Sequence, residues 1–185
     1  VGRALPGAGR EWVPDGAVRL DVPESASAGV GRDWATIELR RPWKVDGRTY
    51  APGTLLAAPL QGLLEGRREL VVLFEPTATT SLASAAWTRN HLVLTILDDV
   101  VNRLEVCTPP SARRTAAGDR RWGRRRVDLT GAADPPGRSE GGGGRLRPGR
   151  ALLDVSVSAL DARDTDYLWI CASGWTTPST LAVGR

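Results

Sequence analysis

Methionine is absent from this chain of 185 residues, and lysine, histidine and phenylalanine occur once each, as Lys44, His91 and Phe74. A complete reading frame of this length normally opens on Met and holds others. The chain, opening on Val1, is therefore expected to be a piece of a longer frame or one with a non-standard start. Cysteine is scarce too. Cys107 and Cys171 lie far apart and fit neither a metal-ligand nor a disulfide spacing. They are expected as buried free thiols in a reducing compartment. One His and two isolated Cys cannot assemble a zinc set, and no cofactor is implied. No apolar run approaches the ~18–20 residues of a membrane helix. The opening VGRALPGAGREWVPDG has no apolar leader segment. The expected setting is cytoplasmic, with no membrane partner.

What is present is arginine. Lys and Arg total 25, so 24 are Arg, a bias that fits a GC-rich genome better than a tuned surface. The charge is uneven. Between Arg113 and Arg150 eleven arginines face four acids (Asp119, Asp128, Asp134, Glu140), a net of +7, and the rest of the chain carries −3.

The hydrophobic share of 41% suffices for a core. Its pattern is short strands between turn signals. Candidates are Ala17–Val22, Asp33–Arg40, the pieces on either side of Asp46-Gly47, Thr54–Leu60, ELVVLFEP (69–76), LASAAWT (82–88), His91–Leu97 and Arg103–Thr108. Asp-Gly favours a two-residue hairpin turn because both positions take positive φ. QGLLEGRR (61–68) reads as one helical turn or a loop, and Asp98 to Asn102 as a turn. Further along, Leu153, Val155, Val157 and Ala159 alternate with Asp154, Ser156 and Ser158, one face buried and one wet. Asp166–Ser173 and Thr177–Gly184 continue the series. Between them and the earlier strands lies a charged, Gly/Pro/Arg-rich stretch at about 109–150. It has one possible strand ending at Val127–Leu129, and TGAADPPGRSEGGGGRLRPGR within it cannot pack a core.

Ten to twelve strands, one about every 10–15 residues, with almost no helix, point to an all-β sandwich, barrel or propeller. A propeller blade takes ~40–50 residues for four antiparallel strands. The chain would supply about three to four blades, short of a closed ring of ~4–8.

Three clusters invite a chemical reading. His91 lies near Arg89 and the pair Asp98-Asp99, and Gly137-Arg138-Ser139-Glu140-Gly141 is a formal G-x-S-x-G. That motif works only on a turn between an apolar strand and a helix, and here AADPP precedes it and GGGR follows. His91 also precedes the serine, against the Ser–Asp–His order of the hydrolases that use the motif. Its expected role is to open a strand. Asp161, Asp164 and Asp166 lack the Gly and terminal Glu of a calcium loop and read as a solvated turn. Arg113, Arg114, Arg120, Arg121, Arg124, Arg125 and Arg126 surround Trp122, the residue types that hold a nucleic-acid strand. The competing reading is an exposed loop in an Arg-biased protein, and one Trp is a poor stacking platform.

SLASAAWTRNHLVLTILDDVVNRLEV resembles a stretch of the N-terminal β-propeller of prolyl oligopeptidase family serine peptidases. So do LDVPESASAGVGRDWATIELRRPWKVDGRTYAPGTLLA, VLFEPTATTSLA and VSVSALDARDTDYLWICASGWTTPSTL. The four phrases stand in the family's order and cover about Leu20 to Leu181 except 109–150. Two features depart from the pattern: the Gly-rich stretch looks inserted, and Trp175-Thr176 stands where a Phe-Leu type pair is expected. The resemblance implies a seven-bladed propeller capping an α/β-hydrolase domain that cuts short peptides after proline. The propeller admits small peptides and excludes folded proteins. The family's Gly-Gly-Ser-Asn-Gly-Gly turn is absent, and no catalytic His follows TPSTL. No catalytic, metal or cofactor residue is carried over. The expectation is the later part of a propeller over 1–185, with a basic insertion at about 109–150. This chain would be inactive alone. Its partners would be the hydrolase domain of the same parent chain and, through it, short proline-containing peptides. The alternative is a free-standing β-rich module contacting nucleic acid or polyanions through Arg113–Arg126.

Overall fold

A computed structural model describes residues 19–99, 101–110, 121–127, 153–174 and 179–185. Among them are thirteen strands and one five-residue helix, and every strand pairing is antiparallel. No helix among the described residues is long and apolar enough to cross a membrane. The chain divides into two compact units, the first ending at Phe74 and the second starting at Glu75. The fold is all-β, with two four-stranded antiparallel sheets of the propeller-blade type, one three-stranded sheet and a two-stranded hairpin among the described residues.

The first unit holds β1 (Ser27–Gly31), β2 (Trp34–Glu38), β3 (Trp43–Val45), β4 (Arg48–Tyr50), β5 (Leu55–Pro59), α1 (Leu60–Leu64) and β6 (Val71–Phe74). Its main sheet runs β1-β2-β5-β6, with the β3–β4 hairpin as an excursion between β2 and β5. The hairpin turns on Asp46 and Gly47 at φ 48° and 76°, the two-residue geometry the Asp-Gly pair favours. Strand β5 is interior, and Leu55 to Ala58 are all buried, as a continuous apolar run requires. The helix is a single turn, ended at Gly66 with φ 78°. The core gathers Ile37, Leu39, Val45, Tyr50, Leu56, Ala58 and Leu63.

One expectation fails here, and one strand appears where none was expected. Arg19–Val22, the described part of the candidate Ala17–Val22, is not a strand. The Val22 N–H bonds the Leu20 carbonyl at 2.9 Å, and Pro23 follows with no N–H to give. Local closure removes the groups a ladder needs, although Leu20 and Val22 still pack on the core. The first strand among the described residues is instead β1, SAGVG, which has a single β-branched residue, Val30. It holds by pairing with β2, and its Gly29 backbone approaches Thr36 closely: a Cβ there would lie 3.1 Å from Thr36 Oγ1.

The second unit holds β7 (Thr80–Trp87), β8 (Leu92–Asp98), β9 (Val101–Thr108), β10 (Gly123–Val127), β11 (Leu153–Ala159), β12 (Leu168–Gly174) and β13 (Thr180–Gly184). Its sheets run β7-β8-β9-β10 and β11-β12-β13. The β8–β9 turn is tighter than the expected Asp98–Asn102: Asp98 pairs with Val101, and Asp99 takes φ 56°. Strand β10 lies inside the stretch 109–150. The sequence allows a strand closing at 127–129; the described strand runs over GRRRV to Val127, and Asp128 and Leu129 lie outside the described residues. Residues 111–120 and 128–150 lie outside the described ones. The two sheets share a core in which Val93 and Leu104 meet Val155, Val157 and Leu168. The period-two reading of β11 holds: Val155 and Val157 are buried while Asp154, Ser156 and Ser158 are exposed.

Candidate functional site

Thr88, Arg89, Asn90 and His91 form the corner between β7 and β8. The Thr88 N–H donates to the His91 carbonyl at 2.8 Å, closing a turn. Thr88 Oγ1 accepts the His91 N–H at 3.2 Å. The same hydroxyl lies 3.2 Å from the His91 carbonyl and 2.8 Å from Asp166 Oδ1. It has one proton to give, and the shorter, charged acceptor takes it.

Asp166 comes from the turn between β11 and β12. Its Oδ1 also accepts the Asn90 backbone N–H at 2.7 Å, and its Oδ2 accepts the Asn90 side-chain amide at 2.7 Å. Beside it the Arg89 N–H donates to the Thr165 carbonyl at 2.9 Å. The acceptor turn is itself fixed, because Asp161 Oδ1 accepts the N–H groups of Arg163 (2.8 Å) and Asp164 (3.2 Å). Partial burial pulls the Asp166 carboxyl upward. The hydrogen bonds from Asn90 and Thr88, with the nearby His91, outweigh it and hold Asp166 below its ordinary value.

His91 sits just before β8, at the position where the sequence reading expects a strand to open. Its Nδ1 lies 2.9 Å from Thr108 Oγ1, the last residue of β9. A relay of the Ser-His-Asp kind needs a carboxylate on the other ring nitrogen. Asp166, the nearby carboxylate, directs both oxygens at Thr88 and Asn90 instead. Asp98 is turned to Arg103 at 2.8 Å. The corner therefore ties two sheets together, and its geometry supports no proton relay. Asp161 and Asp164 are exposed turn residues, but Asp166 is an inter-sheet acceptor rather than a solvated one. The signal available in the sequence was Thr88-x-Asn90, residue types that bond turn backbone, ahead of an apolar strand.

The basic cluster is only partly within view. Arg113, Arg114 and Arg120 lie outside the described residues, as do Gly137–Gly141, Trp175 and Thr176. Arg124, Arg125 and Arg126 are exposed along β10. Trp122 is half-buried with its ring 6.0 Å from that of Trp87 at 55°. Among the described residues no three His, Cys, Asp or Glu side chains are grouped to hold a metal ion. Cys107 is buried, and burial pushes its thiol up to about 11, with Arg124 opposing and Glu105 adding. Cys171 is exposed, contrary to the expectation of two buried thiols. The register explains it, since Cys171 pairs with Ser156 and Leu181 on the outward face of its sheet.

No protein-family profile and no curated protein matches the chain. Its fold is similar to part of a solved post-proline cleaving enzyme from Rickettsia typhi, with a TM-score of 0.64 and 19% identity. The likeness covers 90% of this chain but 20% of the other, so the chain spans about one fifth of the length of that enzyme.

Proposed function

We propose that this chain is the later part of the substrate-gating β-propeller of a prolyl oligopeptidase-like serine endopeptidase, one that cleaves short peptides after proline. The observation that carries this reading is the fold likeness, over 90% of the chain, to part of a post-proline cleaving enzyme. The four sequence phrases in family order support it independently. In this role the chain supplies no reacting group. It acts through access, limiting which peptides reach a hydrolase domain of the same parent chain and keeping water from the bound substrate. A packed pair of sheets tied at the Asp166 corner suits a wall better than a reaction centre.

The alternative, a polyanion-binding module, finds less support. Trp122 packs against Trp87, which leaves its ring poorly placed as a base-stacking platform. The discriminating experiment is salt-dependent oligonucleotide binding by the wild type and by the triple change Arg124→Gln, Arg125→Gln, Arg126→Gln. The peptidase reading expects no binding from either. Binding lost in the triple variant would favour the alternative. The direct test of the peptidase reading is the DNA on both sides of the segment. A frame running on past Arg185 into a Ser turn, a later Asp and a final His is the expected result, and a stop at that point contradicts it.

A further inference from the structure

The β3–β4 hairpin stands apart from the four-stranded sheet that it interrupts. Its two strands pair with each other and with no strand of β1-β2-β5-β6. The register sets Trp43 opposite Tyr50 and Val45 opposite Arg48, four side chains on one face. Val45 and Tyr50 belong to the core of the first unit, and Trp43 packs against it. The rings of Trp43 and Tyr50 stand 6.5 Å apart, and the Arg48 guanidinium lies 4.8 Å above the Tyr50 ring. This cation–π contact holds an exposed arginine in place. Lys44 and Thr49, on the other face, are both exposed.

The charges of the hairpin are unmatched. Arg41, Lys44 and Arg48 are exposed, and none meets a carboxylate among the described residues. Of the other described cations in the first unit, Arg19, Arg40, Arg67 and Arg68 each meet one, on Glu24, Glu38, Glu65 and Asp21. Arg32 stands alone at the β1–β2 turn. Between positions 41 and 48 the sole acid is Asp46, at the turn. Like charges held close repel, and an opposite charge from outside relieves that repulsion. The aromatic side chains decide between anions. A nucleic-acid strand needs open rings on which bases stack. Tyr50 is buried beneath Arg48 and Trp43 is half-buried against the core, so neither ring offers that platform. Carboxylates ask only for positioned N–H donors of positive charge, which guanidinium and ammonium groups supply.

We infer that the β3–β4 hairpin is a docking site for an acidic polypeptide segment, whose Asp or Glu carboxylates pair with Arg41, Lys44 and Arg48. The inference goes beyond the peptidase reading and does not depend on it. The hairpin is ordered by its own packing before a partner arrives, so binding loses little entropy on this side. Three exposed pairs make a weak, salt-sensitive contact, one that sets encounter rate and partner choice.

The probe is a fluorescent oligoglutamate peptide, titrated with the 185-residue protein and followed by anisotropy at low and high salt. Binding at low salt that fades as salt rises is expected. The triple change Arg41→Gln, Lys44→Gln, Arg48→Gln should weaken it at least about tenfold, each exposed pair being worth up to about fivefold. The triple change Arg124→Gln, Arg125→Gln, Arg126→Gln should leave it within about twofold. Asp46→Asn keeps a residue suited to the positive φ of the turn and removes the repelling charge, and should tighten binding about twofold. Lys44 is the single lysine of the chain, so carbodiimide coupling of the bound peptide should place the amide there. No binding by the wild type would overturn the inference. So would a loss no larger in the hairpin variant than in the β10 variant, an Asp46→Asn protein that binds no more tightly, or an uncoupled Lys44. A single-stranded oligonucleotide that binds more tightly than the peptide, and is lost in the hairpin variant, would also overturn it and assign the hairpin to phosphate. Every readout is binding rather than turnover, so the peptidase reading stands or falls separately.

Discussion

Asn90 and Asp166, 76 residues apart in the chain, are joined by two hydrogen bonds of 2.7 Å, one from the Asn90 backbone and one from its side chain. With the Thr88 hydroxyl at 2.8 Å, they make a single carboxylate the link between the β7–β8 corner and the β11–β12 turn. Asn102 makes a second link between the same two sheets, donating to Asp154 Oδ1 at 3.0 Å and to the Val155 carbonyl at 3.3 Å.

Replacing Asp166 tests the link. Asp166→Ala removes the charged acceptor of the Asn90 N–H and leaves the Thr88 hydroxyl the His91 carbonyl at 3.2 Å, and should cost about 1.5–3 kcal/mol, the net worth of hydrogen bonds to a charged group. Asp166→Asn keeps one acceptor oxygen and is expected to lose less. Urea unfolding checks the order wild type, Asn, Ala. Identical midpoints for wild type and Ala would remove the link from the account.

The same carboxylate gives a pH signature. Its folded-state value lies below the ordinary 3.8, so its contribution is fully present above the unfolded value and is lost as pH falls through the folded one. The stability gap between wild type and Asp166→Asn should therefore be constant above about pH 5 and shrink below about pH 4. A gap that widens on acidification would show the sign to be wrong.

Thiol chemistry should separate the two cysteines. Cys107 is buried with its thiol raised to about 11, so at neutral pH it is protonated and shielded. Native protein should yield one titratable thiol, Cys171, and denatured protein both. Fast reaction of Cys107 in the native state would contradict its burial in β9.

Gly47 holds φ 76° in the β3–β4 hairpin with nothing within 4 Å of a built Cβ. The cost of Gly47→Ala is thus conformational rather than steric crowding, and should be about 1–2 kcal/mol. Thermal unfolding of the variant measures it. No loss would mean that the turn relaxes to another type.

Strands with their own hydrophobic signature were legible in the sequence. Asp46-Gly47 announced its hairpin, and β5, β8 and β11 stand where apolar runs or strict alternation put them. What escaped depends on partners distant in the chain. β1 is a Gly-containing edge strand whose conformation is imposed by β2. β10 is four exposed residues and one half-buried Val127, a strand because it pairs with β9 from Leu104 to Thr108. Asp166 looked like any turn aspartate, because Thr88 and Asn90 reach it only after two sheets have packed. Cys171 looked like a core thiol because nothing local says which face of β12 is covered.

The account turns on a division of labour, with this chain shaping access and another domain doing the chemistry. The most direct measurement is hydrolysis of a Gly-Pro amide by two proteins side by side, the 185-residue chain and the product of its uninterrupted natural frame. The account predicts turnover by the longer protein and none by the 185-residue chain. Turnover by the 185-residue chain, or none by the longer protein, would contradict it.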